Sequence, residues 1–200
     1  MSEFGWASTT DEVLEGKGLS GRTVFVTGAN SGLGQETARA LASRGAHVIM
    51  AGRDQSKLDE SVAAIHAEHP RAQLDTITVE LSSLENIRAA TSRARQRFQK
   101  IDILINNAGV MATPFLHTAD GFEMQFGTNH LGHFALTAEL MPLIERGHLK
   151  RIVNLSSRGH FMGPVNFEDP NYQHRPYDPW TSYGQSKTAN VLFTVGLEQH

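Results

Sequence analysis

Short β-branched runs alternate along the chain with longer stretches whose apolar residues recur every three or four positions. Residues 23–28 (TVFVTG) read as a strand. Residues 32–45 read as a helix in which Ala38, Leu41 and Ala42 share a face and Gly45 supplies the stop. HVIMAG predicts a second strand, and SKLDESVAAIHAEH a helix with Leu58, Val62 and Ile65 at helical spacing, ending before Pro70. LDTITVEL gives a third strand, SLENIRAATSRARQRF a third helix and IDILINNAG a fourth strand. A long helical region follows over 120–146 with Pro142 near its end, and RIVNLSS makes strand five. Such alternation predicts an α/β fold, a doubly wound parallel sheet with helices on both faces, because parallel strands need crossover connections.

Two segments stand outside that rhythm. Residues 1–20 read as an N-terminal arm, leaving 21–200 as one domain. Residues 159–180, with Pro164, Pro170, Pro176 and Pro179, read as a loop whose length suggests a functional role. Its Phe161, Met162, Phe167, Tyr172, Tyr177 and Trp180 either line an apolar pocket or pack the loop down.

Composition narrows the class. Net charge is -3, from 18 basic and 21 acidic residues without a long run of either sign, which argues against a nucleic-acid partner or a charged membrane surface. Zero cysteines remove disulfides, thiolate catalysis and thiolate metal sites. No apolar run approaches the roughly 20 residues of a membrane-spanning helix, and the N-terminus lacks the basic-then-apolar order of a signal peptide. The expectation is a soluble, cytoplasmic protein.

The chemistry begins after the first strand. TGANSGLG puts Gly28, Gly32 and Gly34 between strand and helix, where a backbone can turn sharply and approach a pyrophosphate at the helix N-terminus. Its G-x-x-x-G-x-G spacing is neither the G-x-G-x-x-G fingerprint nor a P-loop, which needs a lysine after the last glycine. A dinucleotide site is expected, with Asn30, Ser31 and Leu33 in the same turn.

TGANSGLG, NNAG (106–109), Asn129 in TNHLGHF, NLSS and YGQSK occur in the order and approximate spacing of the short-chain dehydrogenase/reductase family, which the chain resembles over 21–200. The wording is most similar to the retinol-dehydrogenase-like branch, including the long segment between Ser157 and Tyr183. The resemblance implies a Rossmann-type fold and an NAD(P)-dependent oxidoreductase interconverting an alcohol and a carbonyl compound. It further implies Asn129, Ser157, Tyr183 and Lys187 as the catalytic set. Asn107, Ala108 and Gly109 would finish the fourth strand and line the cofactor, while Glu80, in place of the family's usual aspartate, and Leu81 would lie by the adenine. The family's proteins continue past the last helix seen here, which is expected to leave the fold truncated after the helix carrying Tyr183 and Lys187, with an open sheet edge and an uncovered helix face. Full-length relatives imply a homo-oligomer and a small-molecule alcohol or carbonyl substrate, apolar if the loop aromatics line its pocket.

Residues four apart share a helix face, so Lys187 can set its ammonium beside the Tyr183 phenol. A neighbouring cation favours the phenolate, which lets the tyrosine exchange a proton near neutral pH. The resemblance gives Lys187 a second task, holding the nicotinamide ribose. It gives Ser157 a hydrogen bond to the reacting oxygen and Asn129 a water that links Lys187 to solvent. Cofactor choice turns on AGRD at the second strand's end. Asp54 meets the crude distance for a ribose-binding carboxylate, but the family alignment puts Gly52 there with Arg53 next, and arginine suits a 2′-phosphate. NADP(H) is therefore preferred, with NAD(H) the alternative.

Two further readings stay open. His130 and His133, three apart, could suggest a metal pair, but no third ligand is evident and helix packing is preferred; no metal is expected. His160 is either a pocket residue or a loop residue. The alternative to an enzyme is a cofactor-binding sensor or an interaction protein on the same fold, neither of which needs a proton-transfer set.

Overall fold

A computed structural model describes residues 4–199. The elements run α1 (Thr10–Val13), β1 (Thr23–Thr27), α2 (Gly32–Ser43), β2 (His47–Gly52), α3 (Gln55–Glu68), β3 (Gln73–Thr78), α4 (Leu84–Arg97) and β4 (Ile103–Asn106). They continue with α5 (Met124–Phe126), a π-helical turn (Gly127–Leu131), α6 (Gly132–Ile144), β5 (Arg151–Asn154), a 3-10 turn (Arg158–Met162) and α7 (Pro179–Glu198).

All five strands pair in parallel in the order β3-β2-β1-β4-β5. The central strand β1 is buried along its whole length, as a strand covered on both faces must be, which explains why TVFVT shows no polar alternation. One face of the sheet packs Phe25, Ile49, Leu104 and Ile77 against Ile87 of α4 and Leu136, Leu140 and Leu143 of α6. The other packs Val24, Val26, Val48 and Met50 against Ala38 and Ala42 of α2 and Leu58 and Ile65 of α3. Alanines on the inner side of α2 let that helix lie close to β1. The chain leaves β1 towards β2 on one side and later returns to β4 on the other, so the carboxyl ends of β1 and β4 flank the switch point where doubly wound sheets open a crevice.

Several boundaries differ from the sequence reading. The helix expected over 120–146 begins only at Met124, because Glu123 turns its carboxylate back to accept from Gln125 N and Phe126 N at 2.9 and 2.7 Å and caps the start. It also contains a π-helical turn that periodicity could not reveal. The expected arm is docked over its described residues. Asp11 meets Arg39 of α2 at 3.0 Å and Thr10 hydrogen-bonds Glu36, while residues 1–3 lie outside the described residues, as does His200 at the far end. The hydrogen bond from Arg39, against the opposing effect of burial and with help from the Thr10 hydroxyl and the guanidinium charge, holds the Glu36 carboxyl down at about 2. At the other end of the sheet β5 pairs, among the described residues, with β4 alone, and Val153 on it is exposed. Val191, Leu192 and Val195 of α7 are exposed as well, as the sequence reading expected of an open edge and helix face.

Candidate functional site

Between β1 and α2 the backbone makes two left-handed steps, at Gly28 (φ 66°) and Gly32 (φ 54°), which a β-carbon would strain. Ser31 stands at the N-cap of α2, yet its hydroxyl makes no capping bond. The first N–H groups of α2 are left without a side-chain acceptor, and the helix dipole makes that end attractive to an anion. Gly34 is packed so tightly that a β-carbon would stand 2.5 Å from Asn107 Nδ2, with the Gly28 carbonyl nearer still.

This turn forms the floor of a cleft of about 400 Å³. Gly28, Asn30, Ser31, Leu33 and Gly34 line it from the turn, Arg53 from the end of β2, and Glu80 and Leu81 from the segment after β3. Asn107, Ala108 and Gly109 line it after β4. Gly32 sets the turn at the helix start without facing the cleft. Four lining residues escaped the sequence reading, Thr27, Val79, Val110 and Thr128, and Gly52, which that reading set at the ribose position without counting it as a cofactor contact, lines the cleft as well. Thr27 and Gly52 close their strands, and the place where a parallel strand ends beside a glycine motif was signal enough to find them. Nothing in the spacing marks Val110 or Thr128.

The NNAG segment is held to β1 by Thr27. Its hydroxyl oxygen accepts from Asn107 N at 2.9 Å and Ala108 N at 3.0 Å, while Asn107 Nδ2 donates to the Thr27 carbonyl at 2.8 Å. The strand-two end is equally constrained. Asp54 accepts from Lys57 N at 3.2 Å and caps α3, so its carboxylate is engaged away from the cleft. A β-carbon at Gly52 would come 3.0 Å from Asn30 Oδ1, which disfavours a ribose-binding carboxylate there. Exposed Arg53 is the basic group that lines the cleft. Glu80 lines the opposite wall with one carboxylate oxygen accepting from Ser82 N at 3.1 Å.

Asn129 sits in the π-helical turn, fully buried. Its carboxamide pairs with one residue of the loop: Oδ1 accepts from Val110 N and Nδ2 donates to Val110 O, both at 2.8 Å, and Nδ2 donates also to Ser186 Oγ at 3.0 Å. One lone pair of Oδ1 remains. Lys187, on α7, donates from Nζ to the Leu155 carbonyl at 3.2 Å, and its burial pushes the ammonium pKa down. A β-carbon on Gly109 would stand 3.1 Å from Asn129 Oδ1 and 3.5 Å from Lys187 Nζ, so both groups come up behind the same point of the cleft wall.

Tyr183 lies one turn before Lys187, whose Nζ is 5.6 Å from the ring centroid. Its ring occupies the room that Gly159 leaves, where a β-carbon would be 2.7 Å from the ring edge. Ser157 follows β5, and its Oγ accepts from Gly159 N at 3.0 Å, so the hydroxyl proton is free to be given elsewhere. The four residues thus come from three elements and meet beside Gly109 and Gly159.

The loop after Ser157 is riveted to α7. Gln185, fully buried, accepts from Arg175 Nη2 at 2.8 Å and Asn166 N at 3.2 Å, and donates to the Pro170 carbonyl at 2.8 Å. Tyr172 is buried with Arg175 stacked over its ring at 3.6 Å, and Tyr177 donates to the Thr113 carbonyl. These two pack the loop, whereas Phe161, Met162, Phe167 and Trp180 stay exposed. His160 donates to the Ser157 carbonyl and stacks on Phe161 as a loop residue. His130 pairs with Asn190 and His133 with Thr27 and Asn129, so both spend ring nitrogens on protein partners.

With this geometry in view, comparison with known proteins is informative. The profile of the family described as short chain dehydrogenase matches residues 22–200. Human retinol dehydrogenase 13 is 45% identical over 181 residues, which is 90% of this chain and 55% of that protein. The chain therefore spans about half the length of this curated relative. Among solved structures, an uncharacterized protein from Mycobacterium paratuberculosis is 45% identical with a TM-score of 0.79, covering 91% of this chain and 63% of that one. RhlG of Pseudomonas aeruginosa, solved as an NADP active-site complex, is 25% identical with a TM-score of 0.71, covering 91% and 66%. No helix among the described residues is long and apolar enough to cross a membrane.

Proposed function

Because the chain belongs to the short chain dehydrogenase family, we propose that it is an oxidoreductase that binds NADP(H) and interconverts an alcohol and a carbonyl compound. The observation that carries this reading is the convergence of Asn129, Ser157, Tyr183 and Lys187 beside a glycine-walled cleft that ends on an uncapped helix. The residues fit such a cofactor. The α2 N-terminus with Ser31 suits a pyrophosphate, Arg53 suits a 2′-phosphate through its charged fork, and Glu80 and Leu81 would border the adenine. The NADP complex of RhlG supports the same choice. Bound nicotinamide would supply the hydride.

The protein's own groups do the rest. Tyr183 holds the proton that passes to or from the substrate oxygen. Ser157 donates a hydrogen bond from its free hydroxyl to the same oxygen, keeping its own proton, and steadies charge building there. Lys187 provides a nearby cation, and its partial desolvation strengthens the field it exerts on the phenol. Asn129 fixes Val110, and its remaining Oδ1 lone pair faces the space shared with Lys187 Nζ, where a water would continue the proton path. The exposed Phe161 and Met162, in the 3-10 turn that follows Ser157, suit an apolar substrate. The fold unit would be residues 21–200 with the short segment before it as an accessory arm.

The test is to titrate the purified protein with NADPH and NADH by fluorescence, then follow NADPH oxidation over a panel of retinoid, steroid and small carbonyl compounds. Tighter NADPH binding with turnover of an apolar carbonyl is expected. Binding without any turnover across the panel would favour a sensor, and absence of both would refute the reading.

A further inference from the structure

His133, on α6, is fully buried and hydrogen-bonded through both ring nitrogens: Nδ1 to the Asn129 carbonyl and Nε2 to Thr27 Oγ1, each at 2.9 Å. A carbonyl can only accept, so Nδ1 carries the proton. In the neutral ring Nε2 must then accept, and the Thr27 hydroxyl donates to it. That leaves the two remaining lone pairs of Thr27 Oγ1 for the N–H groups of Asn107 and Ala108. The competing acceptor for the hydroxyl proton, the Ile105 carbonyl, lies at 3.4 Å and is the poorer partner. Burial holds the imidazole near 4, so the ring stays neutral and the order of donors stays fixed. Asn190 Nδ2 donates to the same Asn129 carbonyl at 3.1 Å, filling its second lone pair.

We propose that His133 is a positioning residue: through one tautomer it orients the Thr27 hydroxyl, and so the Asn107–Ala108 amides of the cleft, while anchoring the backbone of Asn129. It joins the wall expected to hold the cofactor to the turn that carries part of the proton path, across β1, β4 and α6. The consequence for cofactor affinity rests on the proposed NADP(H) reading; the tautomer does not.

Two substitutions divide the ring's duties. H133Q places an amide oxygen near the Nε2 position and can still accept from Thr27. H133N reaches only the Nδ1 position, keeping a donor for Asn129 but leaving the Thr27 hydroxyl without its acceptor. Each variant is to be melted thermally and titrated with NADPH, and the ring nitrogens of His133 in the parent protein, and in T27V, are to be observed by nitrogen-15 NMR. A proton on Nδ1 is expected, with an Nε2 resonance that moves in T27V. Folded H133N should bind NADPH about tenfold more weakly, the effect of one buried hydrogen bond left unmade, whereas H133Q should stay within about threefold of the parent. A proton on Nε2, or H133N binding as tightly as the parent, would overturn the role. If H133N does not fold, the tautomer and its response to T27V decide the matter alone. A parent protein that fails to bind NADPH would refute the proposed function, leaving the same NMR observations to judge the strut.

Discussion

Two glycines of one motif should fail for different reasons when each is changed to alanine. A β-carbon on Gly32 meets nothing within 4 Å, so Gly32→Ala costs only its left-handed backbone at φ 54°, about 1 kcal/mol. A β-carbon on Gly34 would fall 2.5 Å from Asn107 Nδ2 and nearer still to the Gly28 carbonyl. Ordinary heavy-atom contacts settle near 3.5 Å, so roughly 1 Å must open between α2 and the ends of β1 and β4. Neither neighbour can swing aside: one is main chain, and the other is tied to the Thr27 carbonyl at 2.8 Å. Overpacking of this kind reaches about 3 kcal/mol, against which alanine in a helix returns about 1. Gly34→Ala should therefore lose about 2 kcal/mol, melting about 4–8 °C lower, and Gly32→Ala about half as much. The opened turn also moves the helix N–H groups off their target, so Gly34→Ala should bind NADPH at least about tenfold more weakly. Calorimetry and fluorescence titration measure both quantities. A Gly34→Ala protein that melts above Gly32→Ala, or that binds NADPH normally, would refute the packing argument.

Other outcomes follow from the same site. Tyr183→Phe, which removes the proposed transferable proton and few contacts, should lower turnover about 100- to 10,000-fold with NADPH affinity nearly unchanged; full activity in the variant would remove Tyr183 from the scheme. Arg53→Ala should weaken NADPH by about 10- to 150-fold and NADH far less, since only NADPH carries the 2′-phosphate; equal losses would move the preference elsewhere. His133 titrates near 4 when folded against 6.5 as the ordinary value, so the unfolded chain takes up a proton that the folded chain refuses. Its contribution is complete above pH 6.5 and is lost as pH falls towards 4, about 3 kcal/mol in all. Urea melts of His133→Gln should show a shallower pH slope over that window, and an unchanged slope would contradict the assignment.

The alternating runs and helical spacing were enough to fix five parallel strands, their order in sequence and most helix faces: burial on both sides leaves a nearly unbroken apolar signature in β1 and β2, and the edge strands β3 and β5 are marked by shorter β-branched runs between helical patterns. The glycine motif was equally legible, since the backbone conformation at Gly28 and the close approach at Gly34 permit little else. Asp54 was ambiguous by distance along the chain, and only its engagement as the cap of α3 removed it from the cleft. Thr128 and Val110 carried no pattern at all; they line the cleft because Asn129 binds both the N–H and the carbonyl of Val110 across nineteen positions of sequence. The π-helical turn that presents Asn129, and the tautomer His133 adopts beneath it, were likewise beyond periodicity. Local pattern records which side of an element meets the core, whereas hydrogen bonds between distant elements depend on where the folded sheet brings their ends together, and that placement is a property of the tertiary structure alone.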